Sequence, residues 1–248
     1  MIYPKRIVFD GSKRLQELNL SNIGKDTSTY IISIVQIRMK EDGGFENITQ
    51  PDSGQYFADK YLRIFPHKVV LAPKETQVVK VQCINAEQIP TGEYRSHLYF
   101  KAVGQSNKPL GDEDASKDKD TNDITVSITP VFGITIPAII RIGESTAQVS
   151  LSDVSLKMES DSLPILKMKF SRSGNMSVYG DVTVTYISPL EEETQVALAK
   201  GVAVYTPNTS RWFQLYLDKK IKYTKGKIHI NYSTQDGVKL SEADILLQ

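Results

Sequence analysis

Apolar and polar residues alternate with a period of two through most of the chain, and the clearest case lies at its middle. Ile124, Val126 and Ile128 interleave with Thr125, Ser127 and Thr129, which places three β-branched side chains on one face of a strand. The preceding stretch, Gly104–Asp123, has almost nothing to bury and is expected to be mobile. A strand entered from such a loop is expected at a sheet edge, where unpaired N–H and C=O groups can template another chain. An ordinary core strand after a long hairpin loop accounts for the same pattern.

The same habit predicts strands over Ile2–Phe9, Leu15–Asn19, Tyr30–Met39, Tyr61–Phe65, Gln77–Cys83, Tyr94–Val103 and Ile124–Ile139. Turn signals such as Asp10-Gly11, Asp42-Gly43-Gly44 and Pro90-Thr91-Gly92 separate them. The second half repeats the arrangement, with strands over Gln148–Leu156, Ile165–Ser171, Val178–Ile187, Thr194–Val204, Trp212–Leu217, Lys227–Tyr232 and Ala243–Leu247. No convincing helix is found. Two all-β, immunoglobulin-like sandwiches in tandem follow, residues 1–143 and 144–248, with a short linker near Gly143–Ala147.

Composition narrows the function classes. A net charge of +1 with 24% charged residues points to neither nucleic acid nor an anionic lipid surface. Cys83 is the only cysteine, so no internal disulfide and no thiolate cluster within one chain can form. No apolar run reaches transmembrane length, so direct membrane insertion by a helix is not expected.

Catalytic chemistry is not in view. His67, His97 and His229 occur singly, and neither HExxH, GxSxG nor a phosphate-binding glycine motif is present. Glu191-Glu192-Glu193 reads as a solvated turn, and Asp112-Glu113-Asp114 lacks the ligand order of an EF-hand. Neither an enzymatic role nor a cofactor or metal is expected. Trp212, Phe213, Tyr216 and Leu217 read as core and rim of the second sandwich; a carbohydrate platform would need those aromatics exposed together.

Specific residues then add a resemblance. Lys5-Arg6-Ile7-Val8-Phe9-Asp10-Gly11 with Leu18-Asn19-Leu20-Ser21-Asn22, Phe65-Pro66 with Leu71-Ala72-Pro73, and Gly92-Glu93-Tyr94-Arg95-Ser96-His97-Leu98-Tyr99-Phe100 occur in that order. Together they resemble the first domain of the PapD-like periplasmic pilus chaperones, over residues 2 to about 142. Phe170-Ser171-Arg172-Ser173-Gly174-Asn175 resembles, less closely, the second domain of some of those chaperones.

That resemblance implies two domains set at an angle with a cleft between them, in the periplasm, after removal of a signal peptide. It implies pilus subunits and an outer-membrane usher as partners. The chaperone lends its seventh strand to an incomplete subunit, so Ile124, Val126 and Ile128 would fill the subunit's groove. Arg6 matches the arginine that anchors the subunit's terminal carboxylate, and a guanidinium suits a bidentate clamp. The anchoring lysine has no match, because Gly133 stands at its place. Arg95 and Pro137 stand where the family carries the acid and the arginine of an interdomain ion pair, so that pair is expected to be replaced by another contact. Pro66 matches a cis-proline turn. Self-association through the exposed edge strand is a further expectation. A tandem structural component of a pilus or cell surface, and a sugar-binding module using a row of aromatics near Trp212, are the alternatives.

Overall fold

The computed structural model describes residues 1–103, 133–159 and 163–247. Strands account for nearly all its regular structure, and its only helical pieces are two single 3₁₀ turns, Asp59–Tyr61 and Ala86–Gln88. The first half carries β1 (Ile2–Tyr3), β2 (Ile7–Phe9), β3 (Leu15–Ser21), β4 (Ser28–Val35), β5 (Ile37–Met39), β6 (Phe45–Asn47), β7 (Leu62–Phe65), β8 (Lys68–Leu71), β9 (Thr76–Cys83), β10 (Gly92–Val103) and β11 (Gly133–Ile142). The second carries β12 (Gln148–Glu159), β13 (Leu163–Ser173), β14 (Val178–Ile187), β15 (Glu193–Val204), β16 (Ser210–Tyr216), β17 (Gly226–Ser233) and β18 (Lys239–Leu247).

The chain forms two compact units. One comprises Met1–Val35, Phe57–Ile89 and Arg95–Ile140; the other comprises Gln36–Tyr56, Pro90–Tyr94 and Arg141–Gln248. In the first unit, β1-β3-β9-β7 form one sheet and β2-β11-β10-β4-β8 the other. This is the immunoglobulin sandwich, with the first and fourth strand segments each crossing between sheets. Alternation makes the core: Leu18, Leu20, Val79, Val81 and Ile64 from one sheet meet Ile32, Leu98, Phe100, Ala138 and Ile140 from the other, all buried.

The stretch expected as one strand, Ile2–Phe9, is two. Pro4 fixes φ and lacks a donor, and the chain changes sheets there: β1 pairs with β3, while β2 pairs in parallel with β11. Tyr30–Met39 is likewise divided, since β4 pairs with β10 and β8, whereas β5 forms a separate hairpin with β6. Two short strands, β6 and β8, had not been expected.

The second unit carries the seven strands expected of it, in sheets β12-β13-β16 and β15-β14-β17-β18. The fourth strand, β15, pairs with β14 and so joins the second sheet. Its core is built from Leu166, Met168, Phe170, Val182, Val184, Val204, Ile228, Ile230 and Tyr232. Arg172 is buried among these strands and donates to the carbonyls of Asn208, Gly174 and Met176, closing the turns around it.

Hairpin β5–β6 is fastened within this same unit. The Asn208 side-chain amide donates to the Met39 carbonyl at 2.9 Å, and the Trp212 amide to the Glu41 carbonyl at 2.6 Å. Gly43, at φ +82°, leaves room for the Arg211 guanidinium, whose Nε would lie 2.6 Å from a Cβ built there.

Candidate functional site: the half-covered edge of β11

β2 is only three residues long, and its register fixes what it covers. Ile7, Val8 and Phe9 pair with Ala138, Ile139 and Ile140. The earlier half of β11, Gly133–Pro137, therefore has β10 on one side and no described strand on the other. Among the described residues no strand pairs with the backbone groups on that side, and an edge of that kind can accept an incoming strand. Arg6 immediately precedes Ile7 and so lies beside Pro137, where the paired half of β11 gives way to the open half. Ile7 and Phe9 point into the core, so Arg6 belongs to the outer face of the sheet, where it is half-buried.

Outward positions of the neighbouring strands add an apolar surface. In β10, Ser96, Leu98 and Phe100 are buried on the core side, which turns Arg95, His97, Tyr99, Lys101 and Val103 outward. Val103, Thr29 and Val70 lie in one row across β10, β4 and β8, and Lys101, Ile31 and Lys68 in the next. Val70, Ile31 and Val103 are exposed on this face, whereas Ile134 of β11, though 52% exposed, shares the core-side alternation of Ile136, Ala138 and Ile140. An exposed apolar group within a few strands of an open edge marks an interaction surface.

Arg95 and His97 are outward yet buried. Burial, aided by the positive charge of Arg95, pushes the His97 imidazole down to about 3, so it stays neutral through the physiological range.

Gly133 is where a lysine would have matched the family pattern, and the structure supplies the steric reason for a glycine. A Cβ on Gly133 would lie 2.5 Å from the Tyr99 hydroxyl and 2.6 Å from ring Cζ. The Tyr99 ring covers this glycine from β10. Thr91 similarly approaches Gly143, so β10 and β11 run in opposite directions.

Arg95 and Pro137 do not pair, but an acid and an arginine close to them in sequence do, within the second unit. Glu93, two residues before Arg95, and Arg141, four after Pro137, meet at 3.0 Å. The Glu93 carboxylate also accepts from the Ser177 amide at 3.0 Å, the Ser177 hydroxyl at 2.7 Å and the Thr206 hydroxyl at 3.1 Å. Arg141 donates in addition to the Ser177 carbonyl at 2.7 Å. Every one of these residues belongs to the second unit. The carboxylate is fully buried, and its bonds come from elements far apart in sequence. Only two charge-bearing residues in the correct register would have revealed it, and counting along the chain missed that register.

Of the other residues read from the sequence, Ile124, Val126 and Ile128 lie outside the described residues, as does the loop Gly104–Asp123. The Phe65–Pro66 peptide is cis, as the resemblance implied. His229 bonds Asp244 at 2.7 Å on an outer sheet face. Phe213 packs against the second core and Leu217 is buried within it, whereas Trp212 and Tyr216 face outward with Gln214 between them. Among the described residues, no group of three or more His, Cys, Asp or Glu side chains is placed to hold a metal ion.

No family model matches the chain, and no curated protein matches it. Solved structures do. The chaperone CupB2 of Pseudomonas aeruginosa aligns over 100% of both chains, at 13% identity and a TM-score of 0.48. The class 5 fimbriae chaperone CfaA aligns over 100% of this chain and 98% of its own, at 17% identity and 0.44. A chain from a chaperone–tip adhesin complex of CFA/I fimbriae biogenesis aligns over 100% and 97%, at 14% identity and 0.46. This chain is similar to fimbrial chaperones.

Proposed function

We propose that this protein is a periplasmic chaperone of the chaperone–usher type, with residues 1–143 and 144–248 as its two domains. It binds pilus subunits by lending them an edge strand and passes them to an outer-membrane usher. The observation that carries this reading is the half-covered β11, with Arg6 at the point where β2 stops covering it. A client strand added along Gly133–Pro137 would occupy the place that β2 vacates. If that strand ran parallel to β11, its terminal carboxylate would arrive at Arg6, where a guanidinium can hold both oxygens.

The residues lent to the client in this reading are Ile124, Val126 and Ile128, which precede β11 in the chain and lie outside the described residues. Main-chain pairing gives affinity that tolerates sequence variation, and the alternate apolar side chains each contribute ~1.5–3 kcal/mol before ordering costs.

The test is co-expression with pilin subunits encoded beside it, followed by affinity capture. A one-to-one complex is expected, abolished by Val126→Asp and weakened by Arg6→Ala, with circular dichroism unchanged in both variants. Capture that survives Val126→Asp overturns strand donation; capture that survives Arg6→Ala removes Arg6 from the site.

A further inference from the structure

The outer face of sheet β12-β13-β16 carries an arrangement with no part in the site above. Lys169 lies directly opposite Trp212 across the β13–β16 pairing, and Lys167 opposite Gln214. Both ammonium groups sit over the same indole, at 4.6 Å for Lys167 and 5.8 Å for Lys169. Residues two apart on a strand share a face at a separation of roughly 7 Å, so two like charges are gathered on one ring. Lys157 lies opposite Ile165 in the next row, which adds a third exposed cation to the line.

Among the described residues these lysines lack acidic partners. No carboxylate among the described residues forms an ion pair with Lys157, Lys167 or Lys169. The acids at the rim of the face are bonded to hydroxyls: Ser152 donates to Asp153 at 3.0 Å, Ser210 to Glu41 at 3.1 Å and Tyr216 to Glu159 at 3.1 Å. Like charges side by side on a sheet face oppose one another. The indole offsets part of this repulsion, since cations are attracted to its face. An external anion bridging the two ammonium groups would offset more.

Around the lysines the face is lined with neutral hydrogen-bonding groups. Ser152 lies opposite Lys169, Ser155 opposite Lys167, and Ser150 opposite Ser171, which in turn lies opposite Ser210. We propose that this face binds an anionic glycan, a polymer whose phosphate or sulfate groups meet Lys167, Lys169 and Lys157 while its hydroxyls meet the serine rows and Gln214. Single-stranded nucleic acid fits less well, because its bases need open aromatic faces to stack on, and the lysines occupy the face of Trp212. The inference is independent of strand donation, for it uses none of the residues of the β11 edge.

Trp212 is the only tryptophan of the chain, so tryptophan emission, excited selectively over tyrosine, reports this face alone. The experiment titrates the intact protein with dextran sulfate and with neutral dextran, inorganic phosphate and a single-stranded oligonucleotide as comparators. A saturable change in Trp212 emission is expected with dextran sulfate and not with neutral dextran. The double variant Lys167→Gln/Lys169→Gln is expected to weaken that response about tenfold, whereas Lys25→Gln/Lys74→Gln, with the same loss of charge elsewhere, leaves it intact. Circular dichroism confirms the fold of each variant. The proposal is overturned if emission is unmoved by dextran sulfate, if both double variants weaken it equally, or if the oligonucleotide or phosphate alone matches its affinity.

Discussion

The ring of Tyr99 occupies the space into which any side chain at Gly133 would project. A glycine therefore stands at an outward position of β11 where a longer side chain would meet that ring. An aromatic ring laid across a glycine on the neighbouring strand also restores packing that the glycine alone would forfeit. Gly133→Lys is expected to lower stability by about 1–3 kcal/mol through overpacking, read from the midpoint of urea unfolding. In a Tyr99→Ala background the same substitution should cost much less. Strict additivity of the two changes would show that the ring is not the obstacle.

Glu93 is a buried carboxylate satisfied by one guanidinium, one amide and two hydroxyls. Arg141→Met leaves that charge buried without its counter-ion, and a loss of about 3–5 kcal/mol is expected. Glu93→Gln keeps the shape and some of the bonds, so its cost should be smaller. Chemical denaturation of both variants decides it; an equal, small effect from each would show that the pair is not a principal support of the second unit.

His97 makes stability fall in acid. Its folded-state value is lowered to about 3 by burial and by Arg95, against ~6.5 in the unfolded chain. Between those limits the unfolded state takes up a proton that the folded state refuses. The contribution is therefore intact above pH ~6.5 and declines as pH falls toward 3, by roughly 1.4 kcal/mol per pH unit at most. His97→Gln should flatten this part of the stability profile. An unchanged slope in urea melts between pH 6.5 and 4 would assign it to other groups.

Gly43 holds a left-handed conformation and makes room for Arg211. Gly43→Ala is expected to cost about 1–2 kcal/mol, from backbone strain and the displaced guanidinium. Hydrogen exchange should quicken at the Trp212 amide, which bonds Glu41 in the adjoining turn. Exchange that quickens in β4 but not at Trp212 would detach the hairpin from the second unit.

The chain's alternation was enough to identify an all-β protein of two sandwiches, because a period of two is a local property that each strand carries in its own residues. All seven strands of the second half were legible for that reason, long runs of β-branched and aromatic residues ending at clear turns. The breaks in the first half were not. Tyr30–Met39 reads as one strand-like run, yet β4 joins the sheet beside β10 while β5 belongs to a hairpin held by Asn208 and Trp212. Choice of partner is a long-range matter, and periodicity is silent on it. Arg6 was singled out only through the residues flanking it; its position at the end of the β2–β11 pairing came from register. What the sequence by itself determined was the class of fold, because alternation is carried within each strand. Only the tertiary structure decided that Glu93 meets Arg141, that Tyr99 fills the place of a side chain at Gly133, and that among the described residues β2 pairs with only half of β11, since each depends on which distant strands lie side by side.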